Sequence, residues 1–239
     1  SMSAMFEELD RRQTPMGEIS LRRRREPTLQ IDVYEAMLGE EHLMSSLFTV
    51  AEIALGTLGL AAATGNRLDV IIGGLGLGYT AQAVLDDPRV RSVRVIEALS
   101  EVIDWHSLGL LPLSKGLAAD DRCQLVHGDF FAMVADGVPF GPDAPGLVHA
   151  VLVDIDHTPR HLLHPSHAPF YEIAGLRRLG DRLHPGGVYA LWSDDPPDAE
   201  YLEVVEQAIG PCEVHVVPFP NPHTGGETAN TVYVANRPS

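Results

Sequence analysis

Apolar residues in the middle of the chain follow two patterns in turn. Continuous apolar runs such as Leu68–Gly73 predict buried strands, whereas apolar residues at helical spacing, as in Ser45–Ala62, predict helices. The further predicted strands are Ser92–Ile96, Cys123–Val126, Leu147–Val153 and Gly187–Trp192, and the further predicted helices are Thr80–Leu85, Ser100–Leu108, Phe170–Leu183 and Ala199–Ile209. Repeated units of a strand followed by a helix predict an α/β fold with a mostly parallel sheet that is covered on both faces.

The two ends of the chain follow different patterns. Short alternating runs predict a small N-terminal antiparallel β unit over residues 17–48, and the polar residues 1–16 before it are expected to be disordered or frayed. Glu213–Pro218 and Thr231–Ala235 have no helix between them, so they are predicted to form an antiparallel C-terminal hairpin. Residues 49–239 are then the expected catalytic domain.

Composition narrows the classes of partner. The 239 residues carry 17 Lys+Arg against 33 Asp+Glu, a formal charge of −16, which repels nucleic-acid phosphates and favours cationic small molecules. The same excess of carboxylates is also typical of a protein that is merely kept soluble. The apolar stretch Val50–Ala63 is shorter than the roughly 20 residues of a membrane span, and the first residues lack a signal-peptide pattern. We expect a cytoplasmic protein with neither nucleic acid nor membrane as partner.

A glycine-rich loop follows the first strand of the α/β part. Glycines alternate at Gly74, Gly76 and Gly78, at the place where a parallel sheet binds its cofactor. The third position of a dinucleotide fingerprint falls on Tyr79, so the loop fits a nucleoside cofactor without a pyrophosphate better than it fits NAD. A glycine-rich turn without a ligand is the alternative.

Acidic residues follow the next three strands. Glu97 lies about 20 residues after the glycine loop, where a carboxylate binds ribose hydroxyls, although it could instead be an acid at a helix N-terminus. Asp129 could accept a hydrogen bond from an adenine amino group while Phe130 packs on the ring. Asp154 and Asp156 could bind a cationic amine or remove its proton, or else cap the next helix.

Four histidines then follow within eleven residues. They are His157, His161, His164 and His167. Imidazoles bind zinc, nickel and iron, but the three prolines among and after these histidines favour an irregular loop over one helical face. Histidines of a substrate loop or proton relay, and solvated loop residues, are both favoured over a metal site.

These motifs resemble those of spermidine-synthase-like proteins, the polyamine aminopropyltransferase-like members of the class I S-adenosylmethionine-dependent methyltransferase superfamily. The resemblance covers residues 17–236. It rests on Glu52, Gly73–Gly78, Val95-Ile-Glu97, His127-Gly-Asp129, Asp154-Ile-Asp156, Phe170-Tyr171 and Leu183-His-Pro-Gly-Gly187. It implies a Rossmann-like sheet with a small N-terminal β unit, and a homodimer that this unit helps to form.

The resemblance also assigns roles to residues. It implies a cofactor, S-adenosylmethionine or its decarboxylated form, with S-adenosylhomocysteine or 5′-methylthioadenosine as the product and with no metal. The implied roles are cofactor binding for Gly74, Gly76, Gly78, Glu97, Asp129, Phe130 and Gln30, catalysis for Asp154 as the base, and substrate binding for Asp156, His157 and Tyr171.

The chain departs from the family pattern at the residues that bind decarboxylated S-adenosylmethionine and the diamine in the family. Gly76 stands in place of the Asp of G-G-G-D-G, Asp154–Pro159 replaces D-S-S-D-P, and Val50-Ala51-Glu52 replaces Y-H-E. We therefore predict transfer of an alkyl group, aminopropyl or methyl, to a small, amine-containing acceptor, and do not expect standard putrescine transfer. The alternatives are a small-molecule methyltransferase and a non-catalytic nucleoside-binding module.

Overall fold

The computed structural model describes residues 6–220 and 226–239 and contains two sheets. The strands are Phe6–Thr14 (β1), Gly17–Glu26 (β2), Ile31–Leu38 (β3), Glu41–Ser45 (β4), Leu68–Gly73 (β5), Val90–Glu97 (β6), Cys123–His127 (β7), Val148–Val153 (β8), Leu183–Ser193 (β9), Cys212–Pro220 (β10) and Glu227–Asn236 (β11). The helices are Val50–Ala61 (α1), Tyr79–Leu85 (α2), Ser100–Ser107 (α3), Ser114–Ala119 (α4), Phe130–Asp136 (α5), Ile173–Gly180 (α6) and Ala199–Ala208 (α7), with a 3-10 helix at Pro165–Tyr171.

The larger sheet has the strand order β10-β11-β9-β8-β5-β6-β7. β5 pairs in parallel with β6 and β8, β6 with β7, and β8 with β9, whereas β11 is antiparallel to both β9 and β10. The predicted α/β class, with a mostly parallel sheet and an antiparallel C-terminal hairpin, is confirmed. The chain runs outward from β5 to β7 on one side and then returns to β8 on the other. A ligand crevice forms at such a reversal of strand order.

Helices cover both faces of this sheet. Side chains of β5 point alternately to the two faces, so each face has apolar residues against which helices pack. Val70 and Ile72 belong to the apolar cluster on one face, and Ile71 belongs to the cluster on the other. All six residues of β5 are buried. The apolar residues of this run are the consequence of burial on both sides, and the one charged residue among them, Asp69, is paired with Arg91 and Ser92.

The smaller sheet is antiparallel, with the order β1-β2-β3-β4, and its first strand corrects the sequence prediction. Residues 6–14 were expected to be frayed, but they form β1, which pairs with β2. Arg11 is paired with Glu8 and Glu18, and Arg23 with Glu7. β1 gave no apolar alternation because charged side chains occupy most of it.

Two further contacts hold β1 against the larger sheet's helices. The indole nitrogen of Trp105, in α3, donates to Asp10 at 2.8 Å, and Arg12 donates to Asp104 at 2.7 Å. Trp105 is fully buried, and Ile19 of β2 belongs to the same apolar cluster. The two sheets therefore share one core.

Helix boundaries differ from prediction where helices are short. The predicted helix Phe170–Leu183 is divided, because Glu172 takes an extended conformation between the 3-10 helix and α6. α4 and α5, of six and seven residues, were not predicted. Within the described residues, no helix is long and apolar enough to cross a membrane.

Replacing Trp105 by Phe should loosen β1. The variant loses the hydrogen bond to Asp10, so we expect a loss of about 1 kcal/mol in the free energy of unfolding and faster amide hydrogen exchange in residues 6–14. Trp192→Phe is the matched control, because the buried Trp192 indole nitrogen has no hydrogen-bond partner among the described residues. Equal exchange in residues 6–14 in both variants would contradict this role for Trp105.

Candidate active site

A cavity of about 350 Å³ opens where the parallel strands β5, β6, β7 and β8 end. Its floor is formed by the glycine loop after β5 and by residues that follow the other three strands. Met16, Leu43, Met44 and Ser45 from the small sheet complete the lining. The N-terminal β unit thus forms one side of the cavity.

The glycine loop lies directly on the end of β8. Gly74, Gly76 and Gly78 have φ values of 99°, 51° and 95°, in the region that favours glycine. A Cβ atom on Gly74 would clash with the carbonyl oxygen of Asp154. The predicted loop lines the cavity, and its glycines allow the close approach to the end of β8.

His106, from α3, fixes this loop and was not predicted. Its Nε2 atom lies 2.9 Å from the carbonyl oxygen of Gly76, to which it donates. Its Nδ1 atom lies 3.4 Å from the hydroxyl of Ser114. Burial lowers the pKa of His106, which keeps the ring neutral. A single histidine within a predicted helix carries no sequence signal of such a role.

Glu97 lines the cavity beside the glycine loop. Its carboxylate accepts the backbone N–H of Leu75 at 3.1 Å and that of Leu99 at 3.0 Å. Burial raises the pKa of Glu97, and the backbone donors oppose this shift. These bonds fix the carboxylate at the end of β6, while its proposed contact with a ribose stays a prediction.

Asp129 and Phe130 also line the cavity, at the start of α5. Asp129 caps this helix by accepting the backbone N–H of Ala132 at 3.2 Å through Oδ1. The carboxylate is exposed, and no hydrogen bond is formed by Oδ2 in the described structure. Phe130 is buried, with its ring against Gly73. Helix capping and ligand binding are therefore compatible roles for Asp129.

Asp154 and Glu52 form a pair of interacting, half-buried carboxyl groups. Burial raises the pKa of Asp154 to about 7, and the charge of Glu97 adds to the shift. Burial raises the pKa of Glu52 to about 8, with Asp154 and then Asp194 adding to it. Glu52 Oε2 is buried without a hydrogen-bond partner in the described part of the chain. Because the two groups interact, the pair titrates as a coupled unit above the ordinary range of carboxyl groups.

Asp156 is buried, and side chains and backbone occupy its oxygens. It accepts hydrogen bonds from Tyr171 at 2.8 Å, His167 Nδ1 at 2.9 Å and the backbone N–H of Leu163 at 2.7 Å. His167 stacks on Phe131 with 3.9 Å between ring centroids. Asp156 lines the cavity, but its hydrogen bonds show that it anchors the segment that carries Leu163, His167 and Tyr171.

Two predicted contacts are not brought to the cavity. Tyr171 is buried behind Asp156 and is not part of the lining, and burial raises the pKa of its hydroxyl well above the ordinary value. Gln30 is exposed in the turn between β2 and β3, where its N–H donates to Glu26 at 2.8 Å. The placement of both residues corrects the expectation of direct ligand contact.

His157 does line the cavity, as predicted, and Trp192 is an addition. Trp192 lies on β9, and its indole nitrogen is buried without a partner among the described residues. Sequence pattern does not indicate this role, because tryptophans in strands usually pack in the core. An unpartnered buried donor is costly unless a ligand or water satisfies it.

This chain is similar to known proteins in its structure and not in its sequence. No protein-family model and no curated protein sequence matches it. A spermidine synthase from Thermotoga maritima superposes with a TM-score of 0.72 and 15% identity over 96% of this chain and 72% of that chain. A spermidine synthase in complex with the transition-state analogue AdoDATO gives 0.74 and 15% over 96% and 73%. Human methyltransferase-like protein 13 in complex with SAH gives 0.59 and 18% over 78% and 82%.

These likenesses confirm the fold that the sequence motifs implied. The chain has the Rossmann-like fold of spermidine synthases and class I methyltransferases. The two spermidine synthases match almost the whole chain, including the small N-terminal sheet. Identities of 15–18% show a shared fold and leave the chemistry to be argued from the site.

Replacing Gly74 by Ala should disrupt the assembled loop. The added Cβ clashes with the Asp154 carbonyl and strains a positive φ, so we expect a loss of more than about 2 kcal/mol in the free energy of unfolding, measured by urea denaturation. Gly39→Ala is the control, because Gly39 has a φ of 62° but open space around it. It should cost only about 1 kcal/mol. Equal losses would show that the close approach is unimportant.

Replacing Glu52 by Gln should stabilise the protein only at high pH. The folded state keeps the Glu52 proton up to about pH 8, whereas the unfolded chain releases it near the ordinary value, so the wild-type free energy of unfolding falls as pH rises between them. We expect equal stability near pH 5 and a gain of at least about 1 kcal/mol at pH 9, measured by urea denaturation. The exposed Glu40→Gln should show no such trend. If E52Q raises the free energy of unfolding equally at pH 5 and pH 9, the pKa of Glu52 is not raised in the folded state.

Proposed function

We propose that this protein is a transferase that moves an alkyl group from an S-adenosylmethionine-type sulfonium nucleoside to a small, cationic amine acceptor. Asp154 is the proposed base. The observation that carries the proposal is that Asp154 lines the cavity, with its backbone carbonyl against the glycine loop and the pKa of its carboxyl group raised to about 7. A general base works best with a pKa near the operating pH.

The cavity has the features that an adenosine-type cofactor requires. The glycine loop lines the cavity, and Glu97 and Asp129 follow the next two strands along the sheet edge. Glu97 would hold the ribose and Asp129 the adenine amino group. Such a nucleoside, when bound, would supply an electrophilic carbon next to a positively charged sulfur, and the spermidine synthase and methyltransferase neighbours carry AdoDATO and SAH respectively.

The charge of the cavity favours a cationic acceptor. Its described lining contains no arginine or lysine. It contains five acidic residues, namely Glu52, Glu97, Asp129, Asp154 and Asp156. An ammonium group is attracted to this site, and an acceptor that loses its proton to Asp154 becomes a neutral, nucleophilic amine. His157 and Trp192 supply further contacts on the same side of the cavity.

The donated group is proposed to be aminopropyl. A lining without arginine or lysine offers no side-chain cation for the carboxylate of S-adenosylmethionine, and this favours the decarboxylated form. The second candidate is methyl transfer. Gly76 supports this candidate. In the aminopropyltransferases that the sequence resembles, an Asp at this position of the loop holds the amine of the cofactor, and this chain has no carboxylate there.

Replacing Asp154 by Asn tests the base. We expect binding of 5′-methylthioadenosine, measured by calorimetry, to be retained and turnover to fall by about 10²- to 10⁴-fold. In the wild type, kcat/KM should rise with pH through about 7, because only deprotonated Asp154 accepts a proton. The exposed Asp121→Asn is the control and should leave both quantities unchanged. A D154N variant with full turnover would eliminate Asp154 as the base.

Donor preference separates the candidate functions. Each donor, S-adenosylmethionine or its decarboxylated form, is incubated with a panel of diamines and monoamines, and products are identified by mass spectrometry. 5′-Methylthioadenosine formed from the decarboxylated donor supports aminopropyl transfer, and S-adenosylhomocysteine formed from the other supports methyl transfer. Nucleoside binding without any product would indicate a binding module, and failure to bind any nucleoside would overturn the proposal.

A further inference from the structure

A second group of chemically active side chains lies beside the cavity. Glu41 from β4 and His157 and His161 from the loop after β8 bring one potential ligand atom each within 4.8 Å of the other two. We propose that these three residues bind a divalent transition-metal ion, with zinc as the best fit. This inference does not depend on the proposed transferase activity.

The distances suit tetrahedral coordination. His157 Nε2 and Glu41 Oε1 are 3.3 Å apart, close to the separation of about 3.3 Å between two ligands of a tetrahedral zinc ion. The rings of His157 and His161 have centroids 4.7 Å apart. His161 and Glu41 are exposed, so a small side-chain rotation completes the set without movement of the backbone.

The surroundings of His157 Nε2 also fit a metal ligand. This atom is buried from solvent and makes no hydrogen bond within the described residues, and its neighbour is the carboxylate oxygen of Glu41 at 3.3 Å. A metal ion bound by both atoms would satisfy the buried nitrogen and offset the charge of the carboxylate. Sequence reasoning weighed the histidines alone and did not include Glu41, which is more than a hundred residues away along the chain.

The loop is already folded in the shape that metal binding needs. Thr158 and His161 exchange backbone hydrogen bonds at 3.2 and 3.4 Å, and the Thr158 hydroxyl accepts the N–H of His161 at 2.9 Å. The carbonyl of His157 accepts the N–H of Asp194 at 2.7 Å. This tight turn holds both imidazoles on one side. Little ordering entropy is therefore lost on binding.

The donor set determines the metal and its reactivity. Two imidazoles and one carboxylate are borderline ligands typical of zinc, and three protein ligands leave the fourth position open for water or a ligand group. The ion would also join β4 to the loop after β8. Both of these segments contribute to the lining, through Leu43–Ser45 and His157, so the ion would cross-link two walls of the cavity.

Zinc binding is measurable on the full chain without any assay of turnover. After dialysis against chelator, titration calorimetry with zinc chloride should show one saturable site, and added zinc should raise the Tm. The Co²⁺-substituted protein should show the intense visible absorption of a four-coordinate ion. Glu41→Gln and His161→Asn should each weaken zinc binding by at least roughly 10- to 100-fold, the loss already typical of residues that only support a metal ligand.

Two controls separate loss of a zinc ligand from a general effect on the fold. Both altered side chains are exposed, so these variants should keep the wild-type Tm in the absence of metal. His164→Asn removes a histidine of the same loop that lies outside the cluster and is hydrogen-bonded to Ser166, and it should leave zinc affinity unchanged. No saturable binding to the wild type would overturn the proposal. Zinc binding that is unaffected by E41Q and H161N, or lost in H164N, would overturn it equally.

Discussion

The close approach of Gly74 to the end of β8 is the constraint on which the site depends. Only a residue without a side chain allows the glycine loop to lie against the Asp154 carbonyl. The same contact region includes the Asp154 N–H, which donates to Gly73 at 2.8 Å, and the Leu75 N–H, which donates to Glu97. Three strand ends are thereby joined through one loop, and carboxylates from separate strands come under each other's electrostatic influence.

This assembly brings several carboxyl groups together where burial disfavours their ionised form. Glu52, Glu97 and Asp154 each have a pKa raised mainly by burial. No arginine or lysine of the described lining neutralises them. Unpaired buried charge lowers folding stability, and natural proteins retain such arrangements chiefly at functional sites. The same residues that weaken the fold are therefore the ones that would bind and deprotonate an amine.

The sequence predicted what periodicity and strand-end position determine. Buried strands such as β5 were recognised because burial on both faces demands a continuous apolar run, and Glu97 and Asp154 were recognised because they follow such strands. β1 was missed because its stability comes from charge pairing and from Trp105, neither of which leaves a periodic pattern.

Three-dimensional partners explain the remaining errors at the site. Tyr171 was expected to contact the substrate, but its hydroxyl bonds to Asp156 instead. His106 acquires its role only through Gly76, some 30 residues earlier in the chain. Gln30 lies in a turn whose direction depends on strand register rather than on residue type. Local sequence could not supply any of these relationships.

The outermost strand of the small sheet has a consequence for solution behaviour. β1 forms the edge of that sheet, and its side chains are attached largely by ion pairs between exposed groups, including those of Arg11 and Arg23. Dissolved electrolyte screens such pairs over about 8 Å at physiological ionic strength, and over shorter distances at higher concentrations. The neighbouring turn carries Met16, which lines the cavity. Higher ionic strength therefore weakens the ion pairs of this edge beside the ligand site, while backbone pairing with β2 and the hydrogen bond from Trp105 to Asp10 still hold it.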